Sequence, residues 1–67
     1  MDVRRRVGQN TQRLRAAKGW SQEELADRSH LHRTYVSGVE RGVRNPTVTV
    51  LQKIATALEV RIGELTD

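Results

Sequence analysis

Apolar side chains recur along this chain at intervals of three and four residues, the spacing that lines one face of an α-helix. Val3, Val7, Leu14 and Ala17 form the first such run, which predicts a helix over 2–18 with Asp2 as its cap and Gly19 as its stop. Gly8 and the polar run Gln9-Asn10-Thr11-Gln12 weaken the middle of that helix. A second pattern opens at Trp20. Ser21 and Glu24 have capping-box spacing, the hydroxyl accepting from a backbone N–H three residues on and the carboxylate reaching back to the cap. Trp20 and Leu25 flank this start as a hydrophobic staple, so a helix begins at about Gln22 and the lone Trp is a packing anchor. Leu25 and Ala26 supply its narrow apolar edge.

His30-Leu31-His32 reads as a tight turn, and a third helix follows from about Arg33 to Arg41, burying Val36, Val39 and part of Glu40. Gly42 ends it, free to take positive φ. Beyond the loop Val43-Arg44-Asn45-Pro46, Thr47 caps a fourth helix that continues through Leu51, Ile54, Ala55 and Leu58. Thr47-Val48-Thr49-Val50 alternates like a strand, but no partner strand exists elsewhere. Val60 enters the core, and a short last helix over 61–65 carries Ile62 and Leu65. The class is all-α, five helices in one domain spanning residues 1–67.

Length and composition narrow the chemistry. A chain of 67 residues with no Cys has neither a disulfide framework nor a thiolate metal site. His30 and His32 lack a third ligand, and no cofactor motif is present, so metal and cofactor are both absent from the reading. The serines and histidines form no nucleophile motif, and so short a chain encloses no water-free pocket; an enzyme is not expected. No apolar run approaches a bilayer span, which gives a soluble, cytoplasmic protein as the default. The net charge of +4 is unevenly spread: residues 1–46 hold ten Arg or Lys against five acids, residues 47–67 two against three. A polyanionic partner for the N-terminal part follows, because cations gain most where phosphates release condensed counterions.

The segment Trp20–Gly42 resembles the helix-turn-helix of the phage-repressor and Cro-like DNA-binding family, often called the XRE family. The likeness rests on Gln22, Leu25-Ala26, Leu31, Arg33 to Ser37, Val39-Glu40-Arg41-Gly42 and Asn45-Pro46. It extends through Leu14-Arg15 upstream and Leu51, Ile54-Ala55, Leu58, Val60 and Leu65 downstream. It implies a compact five-helix, lambda-repressor-like domain in which helices 2 and 3 form the helix-turn-helix. The run Arg33-Thr34-Tyr35-Val36-Ser37-Gly38 is most similar to the controller proteins of restriction–modification systems. Three departures stand out. Relatives usually carry a large aliphatic where Thr11 stands, which predicts looser packing under the first helix. They often have Gly or Asn at His30, where the turn demands positive φ, and Gly and a Ser or Asp cap at Glu59 and Arg61.

A helix of roughly 10–12 Å diameter fits the major groove of B-DNA, where all four base pairs are distinguishable. The third helix is then the reader. Arg33 places a fork of donors against guanine, Thr34 and Ser37 meet bases or a thymine methyl, Gly38 leaves room for the groove wall, and His32 meets a base edge or a phosphate. The resemblance places Gln22 on a phosphate. Tyr35, Arg41, Arg44 and Asn45 are the other candidates for the backbone. It also implies that Arg15 pairs with Glu40, tying the first helix to the end of the reader. Dimer contacts in the family usually involve the C-terminal helices; Ile62, Leu65 and the Val48–Leu51 turn are candidates, or else complete a monomer core. The function implied is a sequence-specific transcription regulator binding a palindromic operator in double-stranded DNA as a homodimer. Restriction–modification controller, phage repressor and antitoxin all remain open. The alternative class is a protein-interaction module or antitoxin-type adaptor that keeps the fold without the groove contacts.

Overall fold

The computed structural model describes residues 2–67 and contains five helices: α1 Val3–Ala17, α2 Gln22–Ser29, α3 Arg33–Glu40, α4 Val48–Leu58 and α5 Ile62–Thr66. Each start has a local cause. Asp2 accepts from the Arg4 N–H at 2.8 Å, Ser21 from Glu24 at 3.1 Å and Thr47 from Val50 at 3.2 Å, each satisfying a donor the helix itself leaves open. Hydrogen bonds from Arg4, side chain first and backbone second, hold the Asp2 carboxyl below its ordinary pKa. The capping box at α2 is only half formed. The Glu24 carboxylate turns away from the cap and takes the Arg28 guanidinium at 2.7 Å, one turn on. The residues that alternate like a strand, Thr47 to Val50, cap and open α4.

Four of the helices end in the same way. The residue after the last turn adopts positive φ, and the following N–H bonds back to a carbonyl five residues earlier: Trp20 to Arg15, Leu31 to Ala26, Val43 to Gly38 and Val60 to Ala55. Glycine fills that place at Gly19 and Gly42, but His30 (φ 58°) and Glu59 (φ 61°) fill it in the other two. The positive φ expected at His30 is therefore present.

Val7, Leu25, Ala26, Val36, Val39, Ile54, Ala55, Leu58 and Leu65 make one core, with Leu14, Trp20, Leu31 and Ile62 among the side chains packed against it. The α3 helix lies across α1 and α2, α4 covers the other side of α2, and α5 closes the gap between α1 and α4. Two expectations need correcting here. Thr11 does not loosen the packing under α1: it is fully buried, and its hydroxyl donates to the Val7 carbonyl at 2.7 Å, so the polar atom is satisfied inside its own helix. Leu65, a candidate for a dimer surface, is 0% exposed within the single chain, and its carbonyl accepts from the Asn10 side chain at 2.8 Å. It belongs to the monomer core. Among the described residues no helix is long and apolar enough to cross a membrane, and no three His, Asp or Glu side chains gather in a metal-ligating group.

Candidate nucleic-acid interface

The position of α3 is set from beneath. Val36 and Val39 are buried in the core, and Gly8 lets α1 approach so closely that a Cβ there would lie 2.5 Å from the Val39 carbonyl oxygen and 2.6 Å from that of Glu40. The glycine that weakens α1 in the sequence is the point where the two helices cross. At the far side of the crossing, Arg15 and Glu40 form a two-pronged pair, Nε to Oε2 at 2.7 Å and Nη2 to Oε1 at 3.0 Å. The Arg15 side chain is 15% exposed and that of Glu40 3%, so the pair is largely out of water. The Arg15 Nη1 donates to the Trp20 carbonyl at 2.7 Å, and the Gln22 amide donates to Glu40 at 3.0 Å. Hydrogen bonding to Glu40 pushes the Arg15 guanidinium above its ordinary pKa against the opposing effect of burial. One carboxylate thus fastens the end of α1, the start of α2 and the last turn of α3 together.

Above this anchor the outward side of α3 is open. His32 accepts the Thr34 N–H at 3.3 Å through Nδ1 and so caps the helix, leaving its other ring edge exposed. Sequence reasoning gave His32 a contact role and missed the cap, although a side-chain acceptor immediately before a helix start is the signal for one. Arg33 and Thr34 are exposed, Ser37 is half-buried, and together with Gln22 and His32 they line one continuous depression. Gln22 is held at its edge by the bond to Glu40, so only part of its amide is free toward the outside.

Gly38 departs from the expected arrangement. It is buried, and a Cβ on it would lie 2.5 Å from the Cγ of Arg44, whose stem runs directly over it. Its carbonyl accepts from both Val43 and Arg44, at 3.0 and 3.2 Å. The missing side chain makes room for the loop after α3 and presents nothing to a groove wall. The guanidinium of Arg44 reaches the Tyr35 ring, 5.6 Å from its centroid, which brings those two side chains to one end of the face. Arg41 is exposed and donates to the Ser37 carbonyl at 3.4 Å; Asn45 is exposed in the loop. Trp20 is half-buried between two cations, Arg28 at 4.3 Å and Lys18 at 5.3 Å from its ring centroid. It is a packing anchor, as the staple spacing suggests.

The charges separate by position. Arg4, Arg15, Lys18 and Arg28 are each paired with a carboxylate, whereas Arg33, Arg41 and Arg44 have none within ion-pair distance among the described residues. Unpaired guanidinium groups at the start of α3, at its C-cap and in the loop after it, beside the Thr34 and Ser37 hydroxyls on a helix whose reverse side is locked into the core, suit an anionic surface.

A family model described as helix-turn-helix matches residues 12–65. The chain belongs to that family. Among its relatives, the control protein C.BamHI of Bacillus amyloliquefaciens is 42% identical over 67 residues, covering 98% of this chain and 83% of that one. The crystal structure of the restriction–modification controller protein C.AhdI from Aeromonas hydrophila superposes with a TM-score of 0.90 at 50% identity, over 92% of this chain and 94% of that one. That of SinR, the master regulator for biofilm formation, in complex with DNA, superposes with a TM-score of 0.87 at 34% identity, over 91% and 98%. The likeness to controller proteins, drawn from the run Arg33–Gly38, is borne out across the whole chain. This helix-turn-helix protein is a DNA-binding transcription regulator, and its relatives are regulators and not enzymes.

Proposed function

We propose that α3 enters the major groove of a palindromic operator, that Arg33, Thr34, Ser37 and the free edge of His32 read its bases, and that two copies of the chain bind as a homodimer. Gln22, Tyr35, Arg41, Arg44 and Asn45 hold the backbone in this reading, and Gly38 acts only by admitting Arg44. The observation that carries it is that Arg33 on α3, Arg41 at its C-cap and Arg44 in the loop after it have no acidic partner among the described residues, around a helix fixed by Val36, Val39 and Glu40. Kinship with the restriction–modification controllers supports an autoregulatory role, acting at DNA in the cytoplasm, on an operator near the protein's own gene.

Selection of bound duplexes from random DNA gives the operator. On that operator, Arg33→Ala should lose about 1–3 kcal/mol of discrimination at one guanine position while keeping salt-sensitive binding to any duplex. Equal binding of the unaltered protein to all sequences at moderate salt would refute the assignment.

A further inference from the structure

We propose that α1 supplies a second phosphate-binding strip, in which Arg5, Gln9 and Gln12 join Arg41 to grip the DNA backbone beside the C-terminal end of α3. The inference rests on α3 being the groove helix, and adds a contact from an element outside the helix-turn-helix. Arg5, Gln9 and Gln12 stand at spacings of four and three and so share one face of α1. With Arg41 and Glu40 they line a groove of about 240 Å³.

Two close backbone approaches fix that face in place. Gly8 seats α1 on the carbonyls of Val39 and Glu40, and a Cβ on Gly42 would lie 3.2 Å from the Cγ and 3.3 Å from the Cα of Arg5. The base of the Arg5 side chain is therefore set against the turn that follows α3. Arg41 lies seven residues after Thr34, two helical turns along the stripe that carries Arg33, Thr34 and Ser37, so the groove continues the reading face.

Apart from the Arg41 Nε, which donates to the Ser37 carbonyl at 3.4 Å, the donors in this groove are free. Glu40 is its one carboxylate, and its oxygens are taken by Arg15 and Gln22. Among the described residues no carboxylate lies within ion-pair distance of Arg5 or Arg41, and the Gln9 and Gln12 amides make no hydrogen bond within the protein. Two guanidinium forks and two amides facing one groove ask for a ligand that accepts from all of them at once, and a phosphodiester has the charge and the acceptor oxygens to do so. Continuity with the α3 stripe favours a phosphate of the duplex that α3 reads.

The test compares affinity for the selected operator and for a random duplex across a salt series, with folding checked by thermal melts. Arg5→Gln should weaken both duplexes by the same factor and lower the slope of log K against log salt by about 1. Arg61→Gln, at the N-cap of α5 and away from α3, should leave both unchanged. Gln9→Arg should steepen the slope by about 1 and leaves the Arg5 packing untouched, so it decides the matter if Arg5→Gln fails to fold. A full slope in Arg5→Gln together with no gain in Gln9→Arg overturns the strip. Inorganic phosphate that binds the unaltered protein but not Arg5→Gln, and that does not compete with DNA at matched ionic strength, would make the groove a free-anion site and also overturn it. Absence of any operator preference in the unaltered protein would instead sink the α3 reading beneath it, so the two failures are told apart.

Discussion

At the scale of single residues, stability here depends on a few backbone positions. His30 and Glu59 occupy left-handed conformations that glycine adopts without steric cost, and among the described residues His30 has no side-chain hydrogen bond that replacement would remove. His30→Gly should be neutral or up to about 1 kcal/mol more stable in thermal melts, the greater freedom of glycine in the unfolded chain offsetting part of the relief. Glu59→Gly should gain less, because it also gives up the exposed pair with Lys18 at 3.1 Å, worth roughly 0–1 kcal/mol. A clear loss of stability in His30→Gly would contradict the turn geometry. Gly8 has the opposite sensitivity. Its neighbours are backbone carbonyls that cannot rotate aside, so Gly8→Ala should cost about 1–3 kcal/mol even though alanine is the better helix former. For a domain of this size that is a fall of roughly 4–8 °C in Tm per kcal/mol, and a variant that melts at or above the parent temperature would remove the close crossing of α1 and α3.

Between elements, the pair of Arg15 and Glu40 joins α1 to α3, and Gln22 brings α2 to the same carboxylate. Glu40→Ala leaves the Arg15 guanidinium largely buried without its partner, at a cost of about 3–5 kcal/mol. A 67-residue domain has roughly 3–10 kcal/mol in total, so this variant should be partly unfolded at 37 °C by circular dichroism, with the double replacement Arg15→Met/Glu40→Leu recovering much of the loss. Equal stability of Glu40→Ala and its parent would place the pair in water. Helix existence and order were legible in the sequence because periodicity and caps are local: Asp2, Ser21, Thr47, Gly19 and Gly42 mark the ends that the structure shows. What proved illegible was the choice each side chain made among partners close by, which spacing alone leaves open. Glu24 had two partners within reach and took Arg28; Thr11 found its acceptor within α1; Gly38 proved to be covered by Arg44, six residues on, which no pattern within α3 reveals. That Arg33, Thr34 and Ser37 share the outward face of α3 was legible for the same reason as the helices, being a matter of spacing. That Arg33, Arg41 and Arg44 lack acidic partners was not, since it depends on where every carboxylate ends up.

For the whole molecule the open quantity is the number of copies on DNA. One copy of the chain, 27 Å in its longest dimension, offers a single eight-residue helix for the proposed reading, enough for only a few base pairs. A dimer that reads two half-sites has to set its α3 helices about 34 Å apart, or a multiple of that, the separation at which successive major grooves face the same way. The surface that joins them cannot include Leu65, which the monomer has already buried. Val43 is exposed but sits beside Arg44 and Asn45, on the loop assigned to the DNA backbone. Val3, at the start of α1, is 57% exposed; Val48, at the start of α4, is more open at 73%, and it has Leu51 one turn further on and the uncovered part of Ile62 on α5 as apolar company. Val48 makes no contribution to its own core, so Val48→Asp should leave the melting of the dilute monomer unchanged. It should shift the sedimentation distribution of a concentrated sample from dimer to monomer, and weaken operator binding more than binding to an isolated half-site. A Tm that rises with protein concentration in the parent and stays flat in Val48→Asp would be the thermodynamic counterpart, because association stabilises only the folded chain. If the unaltered protein sediments as a monomer at every concentration and saturates operator-length DNA at one copy per duplex, the exposed valine has another use and the dimer is wrong.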